Sequence, residues 1–377
     1  MSDSTEQSVS KPEKSKRFER FYLGKYTRHS TCPVFLTLIV LAVIFIPIGV
    51  VVIKASDSVF ELSIRYDETN NYQYRVGPDG KYPHKFRFNN SNFSTGAHVS
   101  RNFTLLKSLA SPIYLQYALV GFYQNYRRYA FSRDLAQREG NAYSVSAACE
   151  PFRFPGEYHN RRILGIYFPC GAIAWSLFND SFSLYRLSDA SKSNINSQVF
   201  ENAKLICDGG AFDAAGNSLN EKNLCIKKGI AFSSDLRLFH PLTDGKKDGA
   251  VWRFGGDPAA KDPYQKEGYY YEEPGHPIPS NVDEDYIVWS SLSYMKYFTK
   301  KYRIITTDLV PGNYLIDIVE NFDVFSFSGE KYVSLVTRSW IGGKNYVLGI
   351  LFLVMGCISF VLSLSFIIVQ YLHSKRC

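Results

Sequence analysis

The stretch Pro169-Cys-Gly-Ala-Ile-Ala-Trp-Ser-Leu-Phe-Asn-Asp-Ser-Phe182 combines two features of proteins that fold in an oxidising compartment. Cys170 lies in a tight Pro-Cys-Gly turn, and disulfides persist in secreted and luminal proteins. Asn179-Asp180-Ser181 is an acceptor triplet for N-glycosylation, a modification of secreted chains. The apolar-polar alternation that follows, up to Arg186, is typical of a strand. The stretch therefore predicts a disulfide-linked, strand-containing domain outside the cytoplasm.

Two long apolar runs flank this domain. There are 21 residues without a charge from Pro33 to Ile53, and 27 from Tyr346 to Leu372. A helix needs about 20 apolar residues to cross ~30 Å of hydrocarbon. Both runs are therefore predicted to span a membrane. A cleaved signal peptide is the alternative for the first run, but its apolar core would usually be only about 7–15 residues long.

Basic residues predict the orientation of the two spans. Seven Lys and Arg residues precede the first run, and Lys375 and Arg376 follow the second. An excess of positive charge marks the cytoplasmic side, so both termini are predicted to be cytoplasmic. The predicted organisation is a largely disordered tail at 1–31, spans at 32–53 and 346–372, an ectodomain at 54–345 and a tail at 373–377.

The formal charge of +8 does not indicate a nucleic-acid partner. Acidic and basic residues nearly balance between positions 55 and 345, and most of the excess lies beside the two spans. Such juxtamembrane charge is attracted to the anionic lipids of the cytoplasmic leaflet. The sequence therefore predicts contact with membrane lipids and no nucleic acid.

Four of the seven cysteines fall between the two spans, at Cys149, Cys170, Cys207 and Cys225. Four cysteines allow three connectivities. Neighbour pairing, which joins Cys149 to Cys170 and Cys207 to Cys225, closes the shortest loops and is the arrangement that we predict. Free thiols are disfavoured in an oxidising compartment, and the absence of a Cys-x-x-Cys pair disfavours a zinc site.

Glycosylation triplets occur at Asn89, Asn92, Asn102 and Asn179. All four lie between the two spans, as glycosylation of an ectodomain requires. The first three are crowded together, so we expect sugar on some of the four and not on every one.

Periodicity predicts the main elements of the ectodomain. Alternation favours strands over 60–66, 313–319 and 331–337, and a strand that passes into a short helix over 113–134. Helical spacing of Val288, Leu292, Met295 and Phe298 predicts a core-facing helix over 284–302. Residues 244–281 are rich in Pro, Gly, Lys and Asp, and are interpreted as a long surface arm that contacts a partner.

Arg127 and Arg128 lie among Tyr123, Tyr126 and Tyr129. This spacing predicts cation–π pairs between the guanidinium groups and the rings. A stabilising role in the core or in an interface is favoured over a lipid-headgroup site, because the tyrosines offer the arginines local partners.

Motifs for catalysis are absent from the sequence. There is no Gly-x-Ser-x-Gly, no phosphate-binding loop and no Gly-x-Gly-x-x-Gly, and the seven histidines show no metal-ligand spacing. We assign no catalytic residue, metal ligand or cofactor. A membrane-anchored glycan enzyme would need a carboxylate or metal motif and usually only one span.

Several stretches together resemble one family, the cell division control protein 50 / ligand-effect modulator family. Its members are non-catalytic β-subunits of type IV P-type ATPases, the phospholipid flippases. The matching stretches occur in the family's order: Ile44–Gly49, Phe122–Tyr129, Ser132–Asp134, Pro169–Gly171, Ser176–Phe182, Gly229–Ala231, Glu284–Trp289 and Gly342–Asn345. Any one of them is weak evidence, but the ordered set covers nearly the whole chain.

The resemblance implies a fold, a partner and a role. The fold is two transmembrane helices flanking a mainly β ectodomain, an asymmetric antiparallel β-sandwich with short helices and long loops. It also implies that Cys149 pairs with Cys170 and that Asn179 carries sugar. The chain would form a heterodimer with the ATPase catalytic α-subunit and support its folding, exit from the endoplasmic reticulum and transport cycle. No cysteine occurs between 55 and 148, where the family often has a further disulfide.

Six residues are candidates for contact with that subunit. Pro47 removes a helical hydrogen bond and is expected to kink the first span, where it shapes the contact together with nearby side chains. The candidates are Phe45, Pro47 and Gly49 in the span and Tyr123, Arg127 and Arg128 in the ectodomain. The expected location is the secretory pathway, in the endoplasmic reticulum, Golgi, endosome or plasma membrane.

A two-span ligand-gated ion channel is the strongest alternative from another class. It shares cytoplasmic termini and a large disulfide-bonded ectodomain. Such channels tend to have more luminal cysteines and a polar pore helix, whereas the second span offers only the hydroxyls of Ser359, Ser363 and Ser365 with two glycines.

Overall fold

The computed structural model describes residues 31–67, 73–74, 85–88, 91–94, 97–141, 145–150, 152–153, 166–188, 203–242, 251–252 and 279–374. The chain divides into two compact units. One contains the two long terminal helices, and the other is the domain Val59–Gly343.

The secondary structure of the domain is dominated by strands. Helices run over Thr31–Asp57 (α1), Arg127–Phe131 (α2), Leu135–Arg138 (α3), Ala172–Trp175 (α4), Ser233–Leu236 (α5), Glu284–Ser290 (α6) and Val347–Ser374 (α7). Strands run over Glu61–Arg65 (β1), Gln73–Tyr74 (β2), Lys85–Phe88 (β3), Ser91–Ser94 (β4), Ala97–Leu105 (β5), Ile113–Val120 (β6), Ile166–Tyr167 (β7), Ser181–Arg186 (β8), Lys204–Asp208 (β9), Cys225–Ile226 (β10), Val251–Trp252 (β11), Tyr297–Ile305 (β12), Gly312–Glu320 (β13) and Glu330–Val336 (β14).

Helices α1 and α7 are both long and apolar enough to cross a membrane. They pack against each other where glycines allow the backbones to approach. A Cβ atom on Gly49 would lie 3.0 Å from the carbonyl oxygen of Gly349, and one on Gly349 would lie 3.2 Å from that of Gly49. Small residues at such crossings are typical of membrane helix pairs. The Ser56 hydroxyl also donates to the carbonyl of Asn345, at 2.6 Å.

Two five-stranded antiparallel sheets build the domain. The strand orders are β1-β14-β6-β12-β10 and β2-β5-β13-β8-β9. Their inner faces share one aromatic-rich core: Phe182 of the second sheet contacts Tyr302 of the first edge-to-face, with ring centroids 5.0 Å apart. Phe178 stacks on Tyr117 at 3.7 Å. The predicted architecture of two membrane helices flanking a mainly β domain is confirmed.

A buried ion-pair network connects the two sheets. The Lys331 ammonium lies 2.9 Å from Asp180 and 3.0 Å from Glu320, and Lys331 and Asp180 are fully buried. The Tyr66 hydroxyl donates to Asp180 at 2.6 Å. Burial alone would lower the pKa of Lys331, but attraction to Asp180 and Glu320 raises it. Lys331 is therefore held charged, as buried ion pairs require.

A second network holds α6 against the edge of the core. The β-bulge at Lys301 to Arg303 turns the Arg303 side chain inward. There its guanidinium donates bidentate hydrogen bonds to the carboxylate of Asp285 at 2.7 and 3.1 Å, which is a strong geometry for such a pair. Lys227 lies 2.7 Å from Asp283 and 3.0 Å from Asp285. Burial opposes the ionisation of Asp285, but Arg303 and Lys227 lower its pKa.

The long helix predicted over 284–302 is wrong beyond its first two turns. Helix α6 ends at Ser290, and the chain re-forms as strand β12 from Tyr297. Val288 is half-buried and Phe298 is buried, but Met295 is 70% exposed. The three serines in Ser290–Ser293 favour termination, because their side chains compete for backbone hydrogen bonds. Most of the predicted arm at 244–281 lies outside the described residues.

Lys300 caps the C-terminal end of α6. Its ammonium donates to the carbonyls of Val288, at 3.1 Å, and Ser291. A cation at this end satisfies carbonyls that have no partner within the helix. Burial lowers the pKa of Lys300 to about 8, since its side chain has no ion pair among the described residues that would offset desolvation.

We predict that Lys331→Met costs about 3–5 kcal/mol of unfolding free energy. The substitution leaves the carboxylates of Asp180 and Glu320 buried without their cation, which is the expensive way to break a buried pair. Denaturant unfolding of the full-length chain in mild detergent, followed by tryptophan fluorescence, measures the loss. Lys296→Met, at an exposed lysine, is the matched control. A loss below about 1 kcal/mol would contradict a central role for this network.

The lowered pKa of Lys300 leads us to predict a specific pH dependence of the unfolding free energy. An unfolded chain keeps this ammonium protonated up to its usual pKa of 10.5, whereas the folded chain releases the proton near pH 8. Between these values the unfolded state binds more protons, so the unfolding free energy rises with pH. The unfolding free energy of the wild type minus that of Lys300→Met should therefore increase by up to about 3 kcal/mol between pH 8 and pH 10.5. A difference that stays flat, as expected for Lys296→Met, would refute the assignment.

Candidate functional site

Three stretches that resemble the family contact one another in the structure. They are residues 122–134, 169–182 and 284–289, which lie far apart in the sequence. They are joined by hydrogen bonds between a side chain of one stretch and the backbone of another, and by ring contacts. These three stretches therefore form one structural unit, which we call the motif unit and which carries the exposed residues of the site.

Side chains of residues 132–137 form hydrogen bonds with the backbone in and beside the turn that contains Cys170. The Gln137 amide donates to the carbonyl of Tyr167 at 2.9 Å and accepts from the N–H of Cys170 at 2.7 Å. The Ser132 hydroxyl accepts from the N–H of Ala172 at 2.9 Å. Asp134 caps α3 by accepting from the N–H of Ala136, which fixes the direction of Gln137. Side chains thus partner three backbone groups in and beside the turn, and the N–H of Gly171 donates to the carbonyl of Phe152 at 2.9 Å.

Gly171 makes this close approach possible. Its φ of +97° lies in the region that favours glycine. A Cβ atom there would also come within 2.1 Å of the carbonyl oxygen of Ser132. No larger residue fits, which explains the glycine in the Pro169-Cys-Gly171 stretch.

Helix α6 is joined to both other stretches. The Trp289 indole N–H donates to the carbonyl of Ile173 at 3.0 Å. The buried amide of Gln124 donates to the carbonyl of Trp289 at 3.3 Å and accepts from the N–H of Ser293 at 2.9 Å. Because Gln124 fixes the chain on both sides of the helix end, it positions the turn that follows α6.

The structure contains both disulfides of the neighbour pairing. The bond between Cys149 and Cys170 packs in a small cluster with Tyr167 and Trp175. The bond between Cys207 and Cys225 joins β9 to β10, the adjacent edges of the two sheets. One bond therefore stabilises the motif unit and the other links the sheets.

The structure describes three of the four candidate glycosylation sites. Asn102 is exposed on β5, and Asn92 belongs to β4. Asn179 is half-buried, and its carbonyl accepts from the Asn321 amide at 3.1 Å. Asn89 lies outside the described residues. Attachment of sugar at all four remains a prediction.

Three exposed tyrosines and an exposed methionine cluster beside the motif unit. Tyr123, Tyr126, Tyr294 and Met295 are 54%, 62%, 77% and 70% exposed, and we call these four residues the aromatic surface. Their two segments touch, since the Asn125 amide donates to the carbonyl of Tyr294 at 3.3 Å. Sequence periodicity missed Tyr294 and Met295 because it assigned them to a helix.

The predicted cation–π pairs of Arg127 and Arg128 are wrong. Both side chains are exposed, and neither stacks on a ring within the part of the chain that the structure describes. Helix α2 turns Tyr129 inward instead, where its hydroxyl lies 2.8 Å from the Ser176 hydroxyl and its ring meets Phe122 edge-to-face. The arginines thus add positive charge next to the aromatic surface and do not stabilise the core.

The three candidates in the first span face different directions. Gly49 is buried against α7, and Phe45 contacts Phe352 of that helix with ring centroids 5.6 Å apart. Pro47 is exposed on the outside of the pair. Phe45 and Gly49 therefore make contacts within this chain, and Pro47 is available to another helix.

Metal ligands do not gather among the described residues. No group of three or more His, Cys, Asp or Glu side chains there is placed to hold an ion.

Comparisons with known proteins agree with these motifs. The model of the LEM3 (ligand-effect modulator 3) family / CDC50 family matches residues 52–376. ALA-interacting subunit 3 of Arabidopsis thaliana is 31% identical over 351 residues, which cover 90% of this chain and 80% of that protein. Cell cycle control protein 50A of Mus musculus is 30% identical over 347 residues, which cover 89% of this chain and 82% of that protein. Cell cycle control protein 50C of Mus musculus is 28% identical over 356 residues, which cover 90% of this chain and 89% of that protein. The chain belongs to the LEM3/CDC50 family.

Proposed function

We propose that this chain is the accessory subunit of a type IV P-type ATPase that translocates phospholipids. It would form a heterodimer with the catalytic α-subunit, itself carrying out no catalysis. The observation that carries the proposal is the family match over residues 52–376, which extends from the end of the first span through the second. The name of the Arabidopsis relatives, ALA-interacting subunits, supports a role defined by a partner protein.

The mechanism that we propose is mechanical support of the pump. A subunit that binds some conformations of its partner more tightly than others shifts their populations by the difference in affinity. A rigid binding surface favours such selection, because little conformational entropy is lost on association. Two disulfides and two buried ion-pair networks give this domain the required rigidity. Binding to the folded pump also stabilises it, which supports its exit from the endoplasmic reticulum.

The aromatic surface, with Arg127 and Arg128 beside it, is our candidate for the ectodomain contact. Tyr, Met and Arg are enriched in the centres of protein interfaces, where their large side chains bury much area. Tyr123 and Tyr294 are held on segments that the motif unit fixes through Gln124. In the membrane, the exposed Pro47 is the candidate for contact with helices of the partner.

The two-span ion channel, the alternative from sequence, finds no support in the family match. Both termini of the chain are proposed to be cytoplasmic, with the domain Val59–Gly343 on the luminal or extracellular side. The complex would reside in membranes of the secretory pathway, from the endoplasmic reticulum through Golgi and endosome to the plasma membrane.

We predict that the full-length tagged chain co-purifies in mild detergent with a large P-type ATPase in a one-to-one complex. The double substitution Tyr123→Ala and Tyr294→Ala should reduce the recovered ATPase by about tenfold, because truncation of central aromatic residues commonly costs more than 1 kcal/mol each. Pro47→Leu should reduce recovery and lipid transport as well. Mass spectrometry and quantitative immunoblotting measure the ratio of the two chains.

Phe325→Ala, at an aromatic residue that is 71% exposed elsewhere on the domain, is the matched control and should leave recovery unchanged. A homo-oligomer without an ATPase would refute the proposed function. An ATPase recovered equally with all variants would refute only the assigned surfaces.

We also predict that Asn102 and Asn179 carry N-linked glycans. Asn102→Gln and Asn179→Gln should each remove one glycan from the full-length chain made in cells, detected as a shift on gels and abolished by endoglycosidase. Asn217→Gln, at an asparagine outside any acceptor triplet, is the control. A chain without any glycan would contradict the proposed side of the membrane.

A further inference from the structure

A cavity of about 340 Å³ opens between β12, the end of α6 and the segment that contains α5. Three cationic side chains line it: Lys300, Lys301 and Arg338. Asp235 is the single carboxylate among the lining residues. Ser291, Ser293 and Thr299 also line the cavity. It therefore offers several hydrogen-bond donors and an excess of positive charge.

None of the three cations forms an ion pair at contact distance with a carboxylate in the part of the domain that the structure describes, and Asp235 and Glu284 attract Lys300 and Lys301 only from farther away. The Lys301 ammonium lies 4.5 Å from the centre of the Phe232 ring, and the Arg338 guanidinium lies 4.3 Å from that of Tyr114. Partial burial and repulsion by Arg338 lower the pKa of Lys301. Aromatic contacts fix the positions of these two cations but do not neutralise them.

A second cavity of about 280 Å³ adjoins the first and shares Asp235, Ser291 and Leu292 with it. Arg133 and Arg138 add two more guanidinium groups there. The Nε atom of Arg138 is buried, and it has no hydrogen-bond partner among the described atoms. Five cationic side chains thus line two adjoining cavities around one carboxylate.

We propose that the cavity at Lys301 and Arg338 binds a phosphate or sulfate group. A tetrahedral oxyanion accepts hydrogen bonds from ammonium, guanidinium and hydroxyl donors at once, and charge-assisted bonds to such groups are strong. It would add negative charge to a cavity that one carboxylate, Asp235, and three cationic side chains line. The apolar wall of Ile230, Phe232 and Leu292 suits a ligand whose oxyanion is attached to an apolar portion.

The ligand can be a soluble phosphate ester or the headgroup of an anionic lipid, since both present the same oxyanion. Lys301 and Arg338 are accessible from the surface, so neither source requires the domain to open. This inference rests on side chains of the domain alone and does not depend on the proposed function.

The test is residue-specific acylation of the full-length chain in detergent at pH 8. Lys301 is half-buried and its pKa is lowered, so its amine reacts there, and mass spectrometry follows the peptide that contains it. Inorganic phosphate should protect this peptide saturably, with an apparent Kd of about 1 mM or tighter. Arg338→Gln, an exposed position, should weaken protection by about tenfold without affecting folding.

Lys107→Gln removes an equal charge at an exposed site outside the cavity and should leave protection unchanged. Glycerol 3-phosphate, and nanodiscs with phosphatidic acid or with phosphatidylcholine alone, distinguish the two sources of the oxyanion. Protection by either phosphate source that Arg338→Gln weakens supports the site. Protection that Arg338→Gln leaves unchanged, or none with any phosphate ligand, would overturn it.

Discussion

The ectodomain depends on a cation buried where its two sheets meet. Lys331 is fully buried on β14 of one sheet, and it reaches Glu320 at the end of β13 of the other. Its second partner, Asp180, also accepts hydrogen bonds from Tyr66 and from the backbone of Phe322. An unpaired charge in this position would cost several kcal/mol, so only an arrangement that brings all these groups together is stable. The network therefore disfavours packings of the sheets that would separate Lys331 from its carboxylates.

This network also explains the stretch around Asn179. In the sequence, Asn179-Asp180-Ser181 has the pattern of a glycosylation acceptor, and that pattern gives the aspartate no role. In the structure, Asp180 is the buried partner of Lys331, and the serine begins strand β8. One short stretch thus combines a structural charge with a half-buried acceptor asparagine. Sequence reasoning identified the stretch but not the aspartate, because Lys331 lies about 150 residues away.

Periodicity and composition were sufficient for the membrane helices, the strands at 181–186, 312–320 and 330–336, and the strand–helix order after Ile113. They failed at residues 291–302, where apolar residues at helical spacing lie on an exposed turn and a strand. Tertiary contacts decide there: Gln124 binds the N–H of Ser293, and Lys300 caps the helix at Val288. The predicted cation–π pairs failed for the same reason. Whether Tyr129 turns inward and Arg127 outward depends on the packing of α2 against a segment that is distant in the sequence.

The turn that follows α6 connects the two proposed properties of the domain. Its residues serve both: Ser293 lines the cavity at Lys301, while Tyr294 belongs to the aromatic surface and lines the adjoining cavity. An oxyanion in the cavity at Lys301 would lie beside Ser293, the neighbour of Tyr294 in the chain. Any ordering of this turn by the anion lowers the entropic cost of binding the partner. By linkage, the partner must then increase the affinity for the anion by the same factor.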